Sequence, residues 1–388
     1  MTETTNAPRR GPLHGITVVD LSRVLSGPYC SLLLADLGAR VIKVEPPGAG
    51  DDSRRFAPMV DGRSAYFNAV NRGKQSIALD LKLEADRAVF ERLLDGADVL
   101  LDNFRPGVLA RLGFAAESLA ARWPRLVHAT ISGFGQDGPY AKRAAYDLII
   151  QAMSGLMSVT GAEDGGPARV GTSIVDIAAG LFTTVGILAA LQDRNAGGQA
   201  RRVDVAMLDS MVAMLEHALP RVAAGDPPRR LGARFPTAAP TDAFRTQDGW
   251  IVIGAVTEAQ YKAVLQALDL LALEPDPRFQ TMADRVTHHA ELKLAIEAVT
   301  SRRSTDYWDG KLSALGIPCG PVRTIADLLR DPQVAARRML IETDGMVAAG
   351  NPIKVSGCED PPRGRAPALD ADRGILMREF VSLDGIRL

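Results

Sequence analysis

Ile16–Val44 reads ITVVDLSRVLSGPYCSLLLADLGARVIKV, and the fold turns on it. Ile16–Leu21 is a short apolar, β-branched run, the pattern of a buried strand. Gly27-Pro28 breaks the chain, Tyr29–Leu37 carries helical apolar spacing, and Gly38 closes it where a helix end favours glycine. Val41–Val44 is the next strand. Strand, glycine-capped helix and strand within about thirty residues make a βαβ unit, which builds a parallel sheet with a crossover helix.

Working outward, the unit resembles the start of a Rossmann-like domain, with one difference. Its first turn, RVLSGPYC, has a single glycine instead of GxGxxG, so a pyrophosphate cannot approach the backbone in the usual manner and NAD or FAD is disfavoured. Glu45–Arg55 follows as a Gly/Pro-rich rim with paired charges. Alternation then continues: strand Ser76–Leu81, helix Glu84–Asp95, strand Val99–Leu101, short helices Pro106–Leu112 and Ala116–Trp123, strand Leu126–Ile131. From Tyr146 to Leu191 the texture changes to helical runs of small and apolar residues, and Val203–Val212 reads as strand into helix. Beyond a Pro/Arg/Gly cluster at Gly225–Arg230, strand Trp250–Ala255 and helices Glu258–Leu268, Asp284–Arg302 and Asp306–Leu315 form a smaller α/β module, left through Gly316–Val322. The fold class is α/β: a Rossmann-like large domain with a parallel sheet plus a smaller α/β domain.

Composition narrows the function. The chain has 388 residues, 46% of them hydrophobic, and a net charge of −1, so no global basic field recommends nucleic acid or an anionic membrane. Cys30, Cys319 and Cys358 are odd in number, far apart and outside any CxxC pair, which argues against disulfides and against a metal site. Residues 1–12 read as a loose tail without a signal core, and no apolar window reaches the length of a membrane span; the cytoplasm is the expected compartment.

Three places hold residues with chemical potential. Asn71-Arg72-Gly73-Lys74 sets two cations about a glycine before a strand, and Asn103-Phe104-Arg105-Pro106-Gly107 sets an amide, a ring and an arginine after one, with Arg111 further along. Arginine suits bidentate phosphate contact and lysine acts as a point charge. A lone loop cation is ordinarily a solvated surface charge, but two such groups at strand ends of one sheet lie where open α/β sheets keep ligands. The third place is Val170–Leu191, VGTSIVDIAAGLFTTVGILAAL, whose one ionisable group is Asp176. It is either the N-cap of a helix over Ile177–Leu191 or a reactive carboxylate, and spacing does not choose. His288-His289 reads as surface, Cys30 as a small core residue, and no GxSxG elbow supports serine hydrolysis.

Taken together, LHGITVVDLSRVLSGPYCSLLLADLGARVIKVEPPGAGD, NRGKQSIALDLK, DVLLDNFRPGVLARLG, ISGFGQDGPYAKRAAYDLIIQAMSGLMSVTG, VDIAAGLFTTVGILAAL and DGWIVIGA resemble the class III CoA-transferases, the CaiB/BaiF family, in order and over most of the chain. The resemblance implies that Asp176 is the catalytic aspartate. It also implies CoA contacts at Leu25 and Ser26, at Asn71, Arg72, Gly73 and Lys74, at Asn103, Phe104 and Arg105, at Arg111, and at Ala144, Ala145, Tyr146 and Asp147. Ala144 departs from the lysine of formyl-CoA transferase, leaving Lys142 or Arg143 as substitutes. The implied architecture is residues 11–200 as the large CoA-binding domain, 201–225 as linker, 226–315 as small domain, and 316–388 as return linker and completion of the large domain. Two subunits would be threaded as interlocked rings in a homodimer.

The implied chemistry is movement of CoA from an acyl-CoA to a free carboxylic acid through aspartyl-acyl anhydride and aspartyl-CoA intermediates on Asp176, with no permanently bound cofactor and no metal. Arg54, Arg55, Arg234 and Arg245 are candidates for the far carboxylate of a dicarboxylate such as succinate. The stretch ARFPTAAPTDAF lacks the glycine run of formyl-CoA transferase, which points away from oxalate. Rival readings are an acyl-CoA racemase, with Glu258 and Asp147 as acid/base groups, and a non-catalytic CoA-binding protein. Tyr146 stands where racemases place histidine, and its usual pKa near 10 suits that proton transfer poorly.

Overall fold

The computed structural model describes residues 11–358 and 364–381, so most of the expected N-terminal tail lies outside it. The chain forms two compact units: 1–156, 169–226 and 332–388 make the first, and 157–168 with 227–331 the second.

The first unit is built on strands β1 (Thr17–Asp20), β2 (Arg40–Glu45), β3 (Gln75–Ala78), β4 (Val99–Asp102), β5 (Val127–Ser132) and β6 (Arg202–Ala206). They lie in the order β3-β2-β1-β4-β5-β6, every neighbour parallel. This is the Rossmann order, reversing direction between β1 and β4. Successive residues of the strands face opposite cores: Val18, Val41, Val99 and Val127 pack on one side, Val19, Ile42, Ile77 and Leu100 on the other. Burial on both faces explains the unbroken apolar runs.

Helices α1 (Ser26–Asp36), α2 (Ala65–Asn71), α3 (Glu84–Asp95), α4 (Ala116–Arg122), α5 (Asp147–Met153), α6 (Ile174–Asn195) and α7 (Met207–Met214) join the strands. Cys30 and Leu34 of α1 share a core with Val175, Ala178, Ala179 and Ile187 of α6, while Phe90, Leu93 and Leu94 of α3 fill the opposite one. Residues 202–214, inside the expected 201–225 linker, are instead the sixth strand and a helix. Val203 and Val205 alternate with exposed Arg202 and Asp204, as an edge strand requires. A second correction concerns α6, which is long and apolar enough to cross a membrane. Half of that apolar stretch is buried inside the unit, against α1, α7, β5 and β6, so its composition reflects a core position.

The second unit holds a three-stranded antiparallel sheet, β7 (Thr241–Arg245), β8 (Trp250–Gly254) and β9 (Cys319–Pro321). Phe244, Ile251, Val264, Leu265 and Leu312 form its core. The amphipathic stretch Asp284–Arg302 splits at His288 into two helices. Arg285 is fully buried, bonded to Ala239 O at 3.0 Å and Glu258 Oε1 at 2.5 Å. His289, expected at the surface, is buried with Nε2 3.2 Å from Asp242 Oδ2. A charged side chain that finds an internal partner can sit in a core, and sequence spacing does not reveal the partner.

Candidate active site

The strand order reverses between β1 and β4, and the carboxyl ends of the strands at such a switch point are the usual ligand position of open α/β sheets. The loops after β1 and β4 meet there. Asn103 Oδ1 accepts from Arg23 N at 2.9 Å, and its Nδ2 donates to Arg23 O at 2.8 Å and Ser26 Oγ at 3.2 Å. Gly27 is required by the same closeness: a Cβ there would stand 2.1 Å from Ser22 Cβ. The Arg23 guanidinium lies 5.9 Å from the Phe104 ring centroid. Arg105 and Arg111 are exposed, and neither guanidinium has a partner among the described residues. Leu25, Ser26, Asn103, Phe104 and Arg105 are thus drawn together from two distant stretches of chain.

The Asn71–Lys74 segment has a different character. Arg72 is 2% exposed and grips both oxygens of Asp36. Lys74 is buried and donates to Asn71 Oδ1 at 2.8 Å, Pro28 O at 3.1 Å and Asp20 Oδ2 at 3.3 Å. Burial outweighs the attraction of Asp20 and lowers the Lys74 pKa to about 8. Asn71 is buried and bonds Phe67 O, leaving Gly73, at φ +74°, as the exposed member. The two cations expected to face a phosphate are committed internally, because a buried charge without a partner is costly. Arg54 is held likewise, with Nε 2.7 Å from Glu45 Oε2, and Arg55 pairs with Asp52 at 3.0 Å.

Asp176 is the third residue of α6, not its N-cap. Ser173 occupies the cap position without a side-chain cap bond. The free N–H of Val175 instead donates to Asp147 Oδ1 at 2.9 Å, and Asp147 Oδ2 accepts from Gln151 Nε2 at 2.6 Å. With that capping role filled from another element, the Asp176 carboxylate accepts no hydrogen bond among the described residues. Burial, aided by the nearby Asp147 charge, pushes its pKa up to about 7. Tyr66 of α2 lies in the same field: burial and the charges of Asp176, Asp51 and Asp147 raise its hydroxyl to about 12. No spacing or motif in the sequence marks Tyr66.

Asp147 begins α5, and Ala144–Tyr146 lead into it. Tyr146 is 74% exposed. Lys142 is exposed without an ion-pair partner among the described residues, whereas the Arg143 guanidinium lies 4.8 Å from the Tyr140 ring centroid. The start of α1 also reaches α6: a Cβ on Gly180, one turn beyond Asp176, would stand 2.7 Å from Ser26 O. Gly180 therefore lets the start of α1 pack closely on α6 one turn beyond Asp176.

Fold and site define an α/β protein with a switch point between β1 and β4 and, on α6, a buried acid that accepts no hydrogen bond among the described residues. Residues 13–373 match the family described as CoA-transferase family III. The chain is 46% identical over 385 residues to an acetyl-CoA:oxalate CoA-transferase of Acetobacter aceti, covering 98% of this chain and 99% of the relative. It is 37% identical to a succinate–glutarate CoA-transferase of Agrobacterium fabrum, covering 95% and 94%. A CAIB/BAIF family protein of Brucella suis superposes with TM-score 0.87 at 38% identity, covering 96% of this chain and 100% of that one. The chain therefore belongs to CoA-transferase family III, and it is an enzyme that transfers CoA between acids.

Proposed function

We propose that Asp176 performs this transfer as a covalent nucleophile. Its ionised carboxylate attacks the acyl-CoA carbonyl, forming an aspartyl-acyl anhydride and releasing CoA thiolate. The thiolate attacks the aspartyl carbonyl, giving aspartyl-CoA thioester and the free donor acid. The acceptor carboxylate attacks that thioester, and the released thiolate then takes the new acyl group and frees Asp176. The observation that carries this reading is the Asp176 carboxylate itself, without a hydrogen-bond partner among the described residues because Asp147 caps α6 in its place, and with its pKa raised to about 7 by burial and by the Asp147 charge. An acid of raised pKa is the stronger nucleophile once ionised, and a dry pocket protects the anhydride from water.

CoA lies along the switch-point crevice in this proposal. Arg105 and Arg111 meet its phosphates, Phe104 offers a stacking face, and Leu25, Ser26 and Asn103 line the path toward Asp176. Ala144–Asp147 border the acyl end, and Asn71–Lys74 act as a wall whose buried pairs keep its shape. The acceptor acids are dicarboxylates: oxalate, succinate and glutarate, in the names of the two relatives, each carry two carboxyl groups, while the donor in the first of those names is an acetyl thioester. Oxalate thus stays among the acceptors although the glycine run is missing.

A second copy of the chain completes the working enzyme, as interlocked rings in the cytoplasm. Exposed Leu181, Phe182 and Val185 on α6, with Leu148 and Ile149 on α5, supply an apolar face for it, Val185 being 64% exposed. The decisive experiment is incubation with succinyl-CoA alone, followed by mass analysis of the peptide holding Asp176. A CoA-sized adduct there, absent in Asp176→Ala, is the expected result. No adduct under turnover, or one on another residue, overturns the covalent reading.

A further inference from the structure

Val24 has φ +68°, left-handed backbone in which a β-branched residue is strained. It directly precedes Leu25 and Ser26. The segment around it is tied at each position. Ser22 N donates to Asp20 Oδ1 at 2.8 Å, Ser22 O accepts from Lys43 Nζ at 2.7 Å, and Asn103 holds both backbone groups of Arg23. Val24 N is held by Asp51 alone, at 3.1 and 3.2 Å to its two oxygens.

Asp51 is wholly buried, arriving from the rim after β2 and 27 residues away in sequence from Val24. Lys43, also wholly buried, pairs with it at 2.9 Å, and Ser53 N and Oγ donate to it at 2.9 and 2.7 Å. Burial works against its charge, but Lys43 and Ser53 hold its pKa down to about 2, so it stays ionised at any working pH. The ordinary use of a buried pair is to satisfy itself. This one also spends its carboxylate on a strained N–H at the mouth of the crevice, beside the Ser26 carbonyl that packs on α6 one turn from Asp176.

We propose that Asp51, fixed by Lys43, is a positioning residue for CoA transfer: by holding the Val24 N–H it keeps Val24 left-handed and thereby sets Leu25 and Ser26 where CoA runs toward Asp176. The inference rests on the proposed CoA placement. It touches no reacting atom; its effect is on how well the crevice holds CoA, not on the chemical step.

Titration calorimetry of the full chain with free CoA tests it. Val24→Pro forbids the left-handed φ and deletes the N–H while leaving Asp51 and Lys43 intact; CoA should bind about tenfold more weakly, with unchanged circular dichroism. Val24→Gly adopts the same φ without strain and should bind within about threefold of the parent. Asp51→Asn should weaken CoA about tenfold, and adding Val24→Gly should recover most of the loss. In turnover Val24→Pro and Asp51→Asn should raise KM for succinyl-CoA and leave kcat nearly unchanged, with Val24→Gly close to the parent. If Asp51→Asn does not fold, the proline and glycine variants still decide. Equal weakening by both would show that the valine side chain matters and its φ does not, overturning the inference. Wild-type binding by Val24→Pro, with weakened binding by Arg105→Ala, would overturn it and keep the CoA placement. Unchanged binding in both variants would remove the placement as well.

Discussion

Two sets of buried carboxylates occupy the large unit and behave oppositely. At the ends of β1 and β2, Asp20 faces Lys74, Asp51 faces Lys43 and Glu45 faces Arg54. Despite burial, those three acids are held below their ordinary pKa by the cations and hydrogen bonds around them. At the mouth of α6, Asp176 has burial, a second acid beside it and no donor, and its pKa rises. Burial is common to both sets, and partners separate these four acids, although Asp36, gripped by Arg72, is still raised by burial. A carboxylate whose lone pairs are all used is scaffold, and one left unsatisfied at the end of a ligand crevice is available for chemistry.

That contrast can be broken in four ways. The largest effect should come from Asp176→Ala, which removes the proposed nucleophile: kcat in a succinyl-CoA transfer assay should fall by about 10⁴-fold or more with the fold intact. Next, Lys43→Met strands the Asp51 carboxylate in the core and should cost about 3–5 kcal/mol in urea unfolding. Third, Asp176→Asn should stabilise the protein, the opposite of a change in the paired set. The folded state binds the Asp176 proton more tightly than the unfolded chain, so this group's contribution to stability is fully present below about pH 4 and is lost as pH rises through about 7. The asparagine variant escapes that loss and should gain about 4 kcal/mol at pH 8 and almost nothing at pH 4, read as Tm at the two pH values. The smallest effect concerns Asp147. kcat/KM for acyl-CoA should rise with pH through about 7 as Asp176 ionises, and Asp147→Asn, by deleting the nearby charge, should move that limb to lower pH.

Much of the fold was legible in short stretches because local patterns encode it. ITVVDL, VIKV and the glycine after the first helix required a βαβ unit, and the structure supplies it as β1, α1 and β2. The strand run beginning at Val203 was equally visible, yet its membership in the large sheet was not, since pairing of β6 with β5 joins residues some seventy positions apart. Asp284–Arg302 looked like one amphipathic helix because Arg285 reads as a solvated charge; its partners at Ala239 and Glu258 lie far away in sequence. The contribution of 157–168 to the second unit left no mark in the composition.

The candidate site divides along the same line. Asp176 stood out as a lone acid in an apolar helix, and the exposed pair Arg105 and Arg111 as cations after a strand, since residue type and order alone carry those signals. Whether Asp176 was a cap could be settled only when folding brought Asp147 to the N–H of Val175. The same holds for Arg72 and Lys74, which the sequence offered as phosphate ligands and tertiary packing turned into buried pairs with Asp36 and Asp20. By itself the sequence determined which residues exist and the local elements they form, because periodicity and capping act over a few residues. Only the tertiary structure decided which charges are satisfied and which acid is left without a donor, because hydrogen-bond partners and desolvation are set by chains meeting in space.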